Sequence, residues 1–190
     1  MQRRQFLRTS GVVAGVGLAG CSAFSTEQLT PTTEEEENTV HLQYHDGDER
    51  VAPVSLIGRW HEDARERRFP VRTHIWKQSG LDAESLRYEF RALQLGRPGH
   101  PPTYYLERFN SPLEPVQFAR NADGDATVLE IPDLGFMGRG SVSIDLLVEN
   151  RNEEPFDLRM DVEVLLDGGR FSTDYELTGT ATVEIPARTR

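Results

Sequence analysis

Ser141-Val142-Ser143-Ile144-Asp145-Leu146-Leu147-Val148-Glu149 decides the fold. Val142, Ile144, Leu146 and Val148 alternate with Ser141, Ser143, Asp145 and Glu149. Successive side chains of a strand point to opposite faces, so this pattern predicts a strand with one buried and one wet face. The next run repeats it, with Met160, Val162, Val164 and Leu166 set against Arg159, Asp161 and Glu163. Asn150 to Pro155 reads as a polar loop between these two long strands.

The same period runs outward in both directions. Tyr88, Phe90 and Ala92 alternate with Arg87, Glu89 and Arg91, and Phe171, Thr173, Tyr175 and Leu177 form a further row. Asp46-Gly47, Asp123-Gly124 and Gly168-Gly169 supply the positive φ that tight hairpins need. Ten strands are predicted, near 39–45, 50–57, 69–77, 85–95, 103–109, 114–120, 126–131, 141–150, 157–167 and 170–186, the last breaking near Gly179. Single helical turns are expected only at 61–68 and 81–85. Many short strands with regular turns give an all-β class: one antiparallel β-sandwich of about 8–10 strands. The stretch 142–185 resembles the C-terminal half of immunoglobulin-like modules of archaeal and bacterial surface proteins, which implies an immunoglobulin-like sandwich. The Cys–Trp–Cys core of antibody domains is excluded, because Cys21 is the only cysteine.

The chain begins with a different signal. Arg3-Arg4-Gln5-Phe6-Leu7-Arg8 is a basic head, followed by a weakly apolar run from Gly11 to Gly20 and then Leu18-Ala19-Gly20-Cys21. This run is too short and glycine-rich for a spanning helix, which needs about 20 strongly apolar residues. Head, middle and small residues have the anatomy of a secretory signal. Arg3, Arg4, Phe6 and Leu7 resemble a twin-arginine (Tat) export signal, and Leu-Ala-Gly-Cys resembles a lipobox. The resemblance implies a signal peptide over 1–20, cleavage before Cys21, and lipid on its sulfur as a membrane anchor on the extracytoplasmic face. Gly15-Val16-Gly17-Leu18-Ala19-Gly20 matches a dinucleotide-binding pattern, but it lies within the expected signal and lacks the strand-then-helix context that chemistry requires. Residues 21–38 are read as the lipidated cysteine and a Thr/Glu-rich, disordered linker ending in Glu34-Glu35-Glu36-Glu37, and 39–190 as the domain.

The 190-residue chain carries a formal charge of −10, and loss of the signal would remove three arginines. Such a surface repels phosphate backbones, so nucleic acid is not expected as a partner. Lys77 is the only lysine among 21 lysines and arginines. An acidic chain with this skew resembles proteins of halophilic archaea; a GC-rich genome is the alternative source of the skew.

Motifs for chemistry are sparse. A blue-copper or thiol-redox site needs a cysteine that Cys21 cannot supply. His41 and His45 share a strand face at about 13 Å, too far for one metal without a bend. Asn121-Ala122-Asp123-Gly124-Asp125 has calcium-loop flavour but reads as a hairpin turn, without the spacing of an EF-hand. No G-x-S-x-G elbow occurs. No catalytic, cofactor or metal residue is assigned. The contact candidate is the stiff loop Gly96 to Pro102, with Arg97 and His100, and the adjacent Tyr104 and Tyr105, one of which must point inward. Trp60 and Trp76 are expected in the core. The sequence therefore favours a membrane-anchored, extracytoplasmic, non-catalytic binding or structural module of the cell envelope, with an envelope protein or glycan as partner. The alternatives are a solute- or metal-binding accessory lipoprotein and, behind it, an extracytoplasmic hydrolase.

Overall fold

The computed structural model describes residues 26–59, 68–95, 99–110, 116–132, 134, 140–169 and 173–187. The export-signal residues Arg3, Arg4, Phe6 and Leu7, the lipidation candidate Cys21, Trp60, Arg97 and all of the turn expected at 61–68 except Arg68, which begins a strand, lie outside them. Twelve strands follow in order: β1 (Thr26–Leu29), β2 (Thr32–Glu36), β3 (Thr39–Asp46), β4 (Glu49–Gly58), β5 (Arg68–Trp76), β6 (Asp82–Leu93), β7 (Thr103–Phe109), β8 (Gln117–Arg120), β9 (Thr127–Ile131), β10 (Ser141–Glu149), β11 (Phe156–Asp167) and β12 (Asp174–Ile185). They form two six-stranded sheets, ordered β1-β12-β11-β6-β9-β8 and β2-β3-β4-β5-β10-β7. The pairings are antiparallel, except that β1 lies parallel to β12.

Alternation explains the packing. Val142, Ile144, Leu146 and Val148 of β10 are buried, as are Leu158, Met160, Val162, Val164 and Leu166 of β11. They come from different sheets and belong to one apolar cluster with Leu42, Tyr44, Leu56, Tyr88, Phe90, Leu129 and Ile185. Each fully buried aliphatic or aromatic side chain contributes roughly 1.5–3 kcal/mol, which is what holds the two sheets face to face. The expected all-β sandwich is the observed architecture, with twelve strands among the described residues where eight to ten were expected.

Three expectations are corrected. Residues 26–36 of the expected linker are β1 and β2, because Leu29 is buried in the core cluster and the Thr/Glu run adds a strand with its side chains in water. The turn expected at 81–85 is the start of β6, where Ala83 and Leu86 point into the core. β12 runs through Gly179 without a break, Gly179 pairing with Val162.

Candidate functional site

The outer face of the second sheet gathers most of the chain's unusual side chains. Phe69, Val71, Thr73 and Ile75 of β5 are buried, so Arg68, Arg72, His74 and Trp76 stand on the opposite face by parity. The same parity puts Ser141, Ser143, Asp145, Leu147 and Glu149 of β10 outward. Register then pairs Arg72 with Asp145, His74 with Ser143, Pro70 with Leu147 and Arg68 with Glu149.

Two rows run across the strands. In one, His41 Nδ1 lies 2.7 Å from Ser55 Oγ and His74 Nδ1 lies 2.7 Å from Ser143 Oγ, with Ser55 opposite His74. Burial, then the neighbouring Arg72 charge, lowers the His74 pKa from its ordinary value. Ser55 is only 5% exposed. In the second row, Arg72 grips Asp145 with a fork, Nε donating to Oδ1 at 2.5 Å and Nη2 to Oδ2 at 2.9 Å. That bidentate bond leads the causes that hold the Asp145 carboxyl below its ordinary range, with Arg59 and Arg108 adding their fields.

Beside this fork lies a cleft of about 170 Å³, lined by Arg59, Arg68, Pro70, Val71, Glu107, Asp145 and Leu147. A bulge shapes its rim. Asp145 pairs with Arg108 and Leu146 with Leu106, so Glu107 is the extra residue of β7 at this point. Tyr105, 36% exposed, pairs with Leu147 next to the cleft. The Arg68 guanidinium lies 4.9 Å from its ring centroid, and its hydroxyl donates to Glu149 at 2.8 Å. This bond, together with Arg151, keeps the Glu149 carboxyl below its usual range.

The contact residues read from the sequence separate here. Tyr105 stands beside the cleft, opposite Leu147. Tyr104 points inward and stacks on Phe90 with centroids 5.6 Å apart, its hydroxyl buried without a partner. It lines an open cleft of about 320 Å³ at the sandwich edge with Phe118 and Arg120. His100 is held through its backbone, its N–H donating to Asn152 Oδ1 at 2.8 Å and its carbonyl accepting from Asn152 Nδ2 at 3.0 Å. Trp76 is a correction: it is 37% exposed, with the Arg50 guanidinium 5.4 Å from its ring, and not in the core. The strand parity that buries Ile75 already turns Trp76 to water, a signal available in the sequence. Sequence reasoning missed Arg68, Arg72 and Asp145, because only the register joins them. His41 and His45 do share the outer face, with Val40, Leu42 and Tyr44 buried. At 121–125, Asn121 Oδ1 accepts from the backbone N–H groups of Asp125 and Ala126 at 3.0 and 3.1 Å, closing a turn. Among the described residues no three His, Cys, Asp or Glu side chains meet to hold a metal ion.

A family model described as a domain of unknown function, DUF8121, matches residues 25–187. No curated protein matches the sequence. Among solved structures, the chain is similar to the GAE domain of GGA2p from Saccharomyces cerevisiae, at 9% identity and a TM-score of 0.35, covering 77% of this chain and 98% of that one. It is also similar to the collagen-binding domain of a Staphylococcus aureus adhesin, at 11% identity and a TM-score of 0.28, covering 59% and 88%. A collagen adhesin from S. aureus aligns at 9% identity and a TM-score of 0.30, covering 86% and 80%.

Proposed function

The chain belongs to the DUF8121 family, and we propose that it serves as a non-catalytic binding module, held on the extracytoplasmic face of a membrane by lipid on Cys21. The observation that carries the binding role is the cleft on the outer face of the second sheet. Two of its lining side chains are preformed, Asp145 by the Arg72 fork and Arg68 by stacking on Tyr105, which Glu149 holds. Side chains already locked by neighbours lose little freedom on binding.

The cleft also favours a second reading, the solute-binding accessory lipoprotein, since arginines and carboxylates converge in it. Its size argues for the module. About 170 Å³ is smaller than the roughly 300–1,000 Å³ of pockets that engulf a whole small ligand. The cleft suits one group presented by a larger envelope partner, a protein or a glycan.

Both halves are testable on cells. Cys21→Ser should release the protein from the membrane fraction, and the natural Cys21 should carry a lipid mass. Lipidation would block the Cys21 thiol, so Glu107→Cys and Leu147→Cys can report on the cleft and Thr178→Cys on the opposite sheet. Crosslinks from the first two and none from the third are expected. Capture only from Thr178 would refute the proposed contact face.

A further inference from the structure

We infer that the open side of the sandwich, between β7 and β8, takes an extended segment of another polypeptide, added as a strand to the β7 edge. This deepens the binding-module reading by naming the partner as a protein, and it rests on that reading. The two sides of the sandwich differ. On one side β2 exposes Glu34, Glu35 and Glu36, charges that discourage pairing. On the other side the edge strands are β7 and β8. Four large apolar side chains are exposed among the described residues, and Tyr105, Leu106 and Phe118 of these four lie on β7 and β8. Edges are ordinarily blunted by charge or covered, so an edge left apolar marks a place where something docks.

Register shows what is left open. Leu106 lies opposite Leu146, and Phe118 opposite Leu129, both of which are buried. Opposite residues share a face, so Leu106 and Phe118 aim into the space between the sheets. Each is nevertheless 41% exposed. The core is therefore unsealed along this side. The cleft of about 320 Å³ lies here, with Pro102, Thr103 and Tyr104 on one wall and Phe118, Ala119 and Arg120 on the other. Packed sheets stand about 10 Å apart, a gap that the inward side chains of one added strand can fill.

Backbone chemistry identifies the occupant. Among the described residues β7 pairs with β10 alone, so every second residue turns its N–H and C=O away from the sheet. Donors and acceptors alternating at strand spacing are matched by another extended backbone. The bulge at Glu107 interrupts this ladder and leaves the regular stretch 103–106 beside the cleft. So short a ladder holds little by itself, and side chains must add to it. Apolar ones face inward over Leu106 and Phe118, and polar ones face outward, where Glu107 lines the arginine cleft. The partner segment thus alternates apolar and polar residues. A second copy of this chain fits poorly. It carries the same charge of −10, and its own β7 has the same bulge, so two copies would lose register beyond Leu106.

The test is calorimetric titration of the full-length chain with a ten-residue peptide of alternating valine and lysine, at about 0.15 M salt. The native chain should bind it. Two further peptides carry N-methyl groups, one on every valine nitrogen and the other on every lysine nitrogen. Alternate N–H groups of a strand point to opposite edges. One methylated peptide should therefore bind like the parent and the other about tenfold more weakly or worse. Equal binding of the two, or loss of both, would overturn the inference without reliance on any variant. So would no binding of the parent. Leu106→Ser and Phe118→Ser should each weaken the parent about tenfold, while Trp76→Ser, which removes a comparably exposed ring from the sheet face, should change nothing. An equal loss with Trp76→Ser would mean unspecific apolar contact and would refute the edge site. A native chain that elutes as a dimer, and that Leu106→Ser returns to a monomer, would make a second copy the occupant and overturn the assignment to a foreign strand. If the peptide fails while crosslinks form through Glu107→Cys and Leu147→Cys, the strand assignment alone falls. If both fail, the binding-module reading falls with it.

Discussion

His74 and Asp145 neighbour one another on the outer face, and both prefer the form they hold near neutrality. Burial and the Arg72 charge lower the His74 pKa below its ordinary 6.5, so the folded chain resists a proton that the unfolded chain accepts. Above 6.5 both states are neutral and the contribution is complete; it is lost as pH falls below 6.5 through the folded value. Asp145 has the same sign in a lower window. The Arg72 fork depresses its pKa, so its contribution is complete above the ordinary 3.8 and is lost as pH falls further. Denaturant melts across pH should therefore show a stability plateau near neutrality, a decline beginning near pH 6.5, and a steeper one below about 4. His74→Gln keeps a hydrogen-bonding side chain for Ser143 and should remove the first decline while leaving the second. A first decline that persists in this variant would assign it to another group.

Among the strands, β12 shows why an apparent breaker can be a packing requirement. Gly179 lies where β12 passes over β3. A Cβ there would come within 2.6 Å of Tyr44 Oη, 2.9 Å of Pro31 Cγ and 3.1 Å of Leu42 Cδ1. Gly179→Ala should therefore destabilise the chain by about 1–3 kcal/mol, read from urea melts. Tyr44 Oη is buried without a hydrogen-bond partner. Tyr44→Phe removes the atom in closest conflict, so the double variant should recover part of the loss; simple additivity of the two changes would refute the steric account. β3, β6, β10, β11 and β12 were legible in the sequence because each carries period-2 apolar residues. β1 and β2 were not, because Thr26–Leu29 and Thr32–Glu36 contain one buried side chain between them, Leu29. The cleft was not legible for another reason. Arg72 and Asp145 are 73 residues apart in the chain, and no local pattern marks which strand will lie beside which. Tyr105 was readable as one of two adjacent tyrosines with opposite faces, but its bond to Glu149 was not.

At the scale of the whole molecule, the question is where the folded unit begins. β1 closes the edge of the first sheet against β12, and β2 closes the edge of the second against β3, so Pro31 between them bridges both layers. Glu34, Glu35 and Glu36 are exposed on the outermost strand, where charge discourages edge-to-edge pairing with another chain. A chain starting at Thr39 would lose the burial of Leu29 and bare both β12 and β3. Leu29 alone is worth roughly 1.5–3 kcal/mol, or about 3–12 °C in melting temperature for a chain of this size. The Thr39 start should thus melt lower than a start at Ser22, and it should self-associate on gel filtration as concentration rises, because two unprotected ladders then face solvent. Equal melting temperatures and monomeric elution for both would mean that β1 and β2 contribute nothing to the fold. A lower melting temperature with monomeric elution would retain the burial argument and discard the edge-protection argument, since only the second depends on what the acidic strand keeps away.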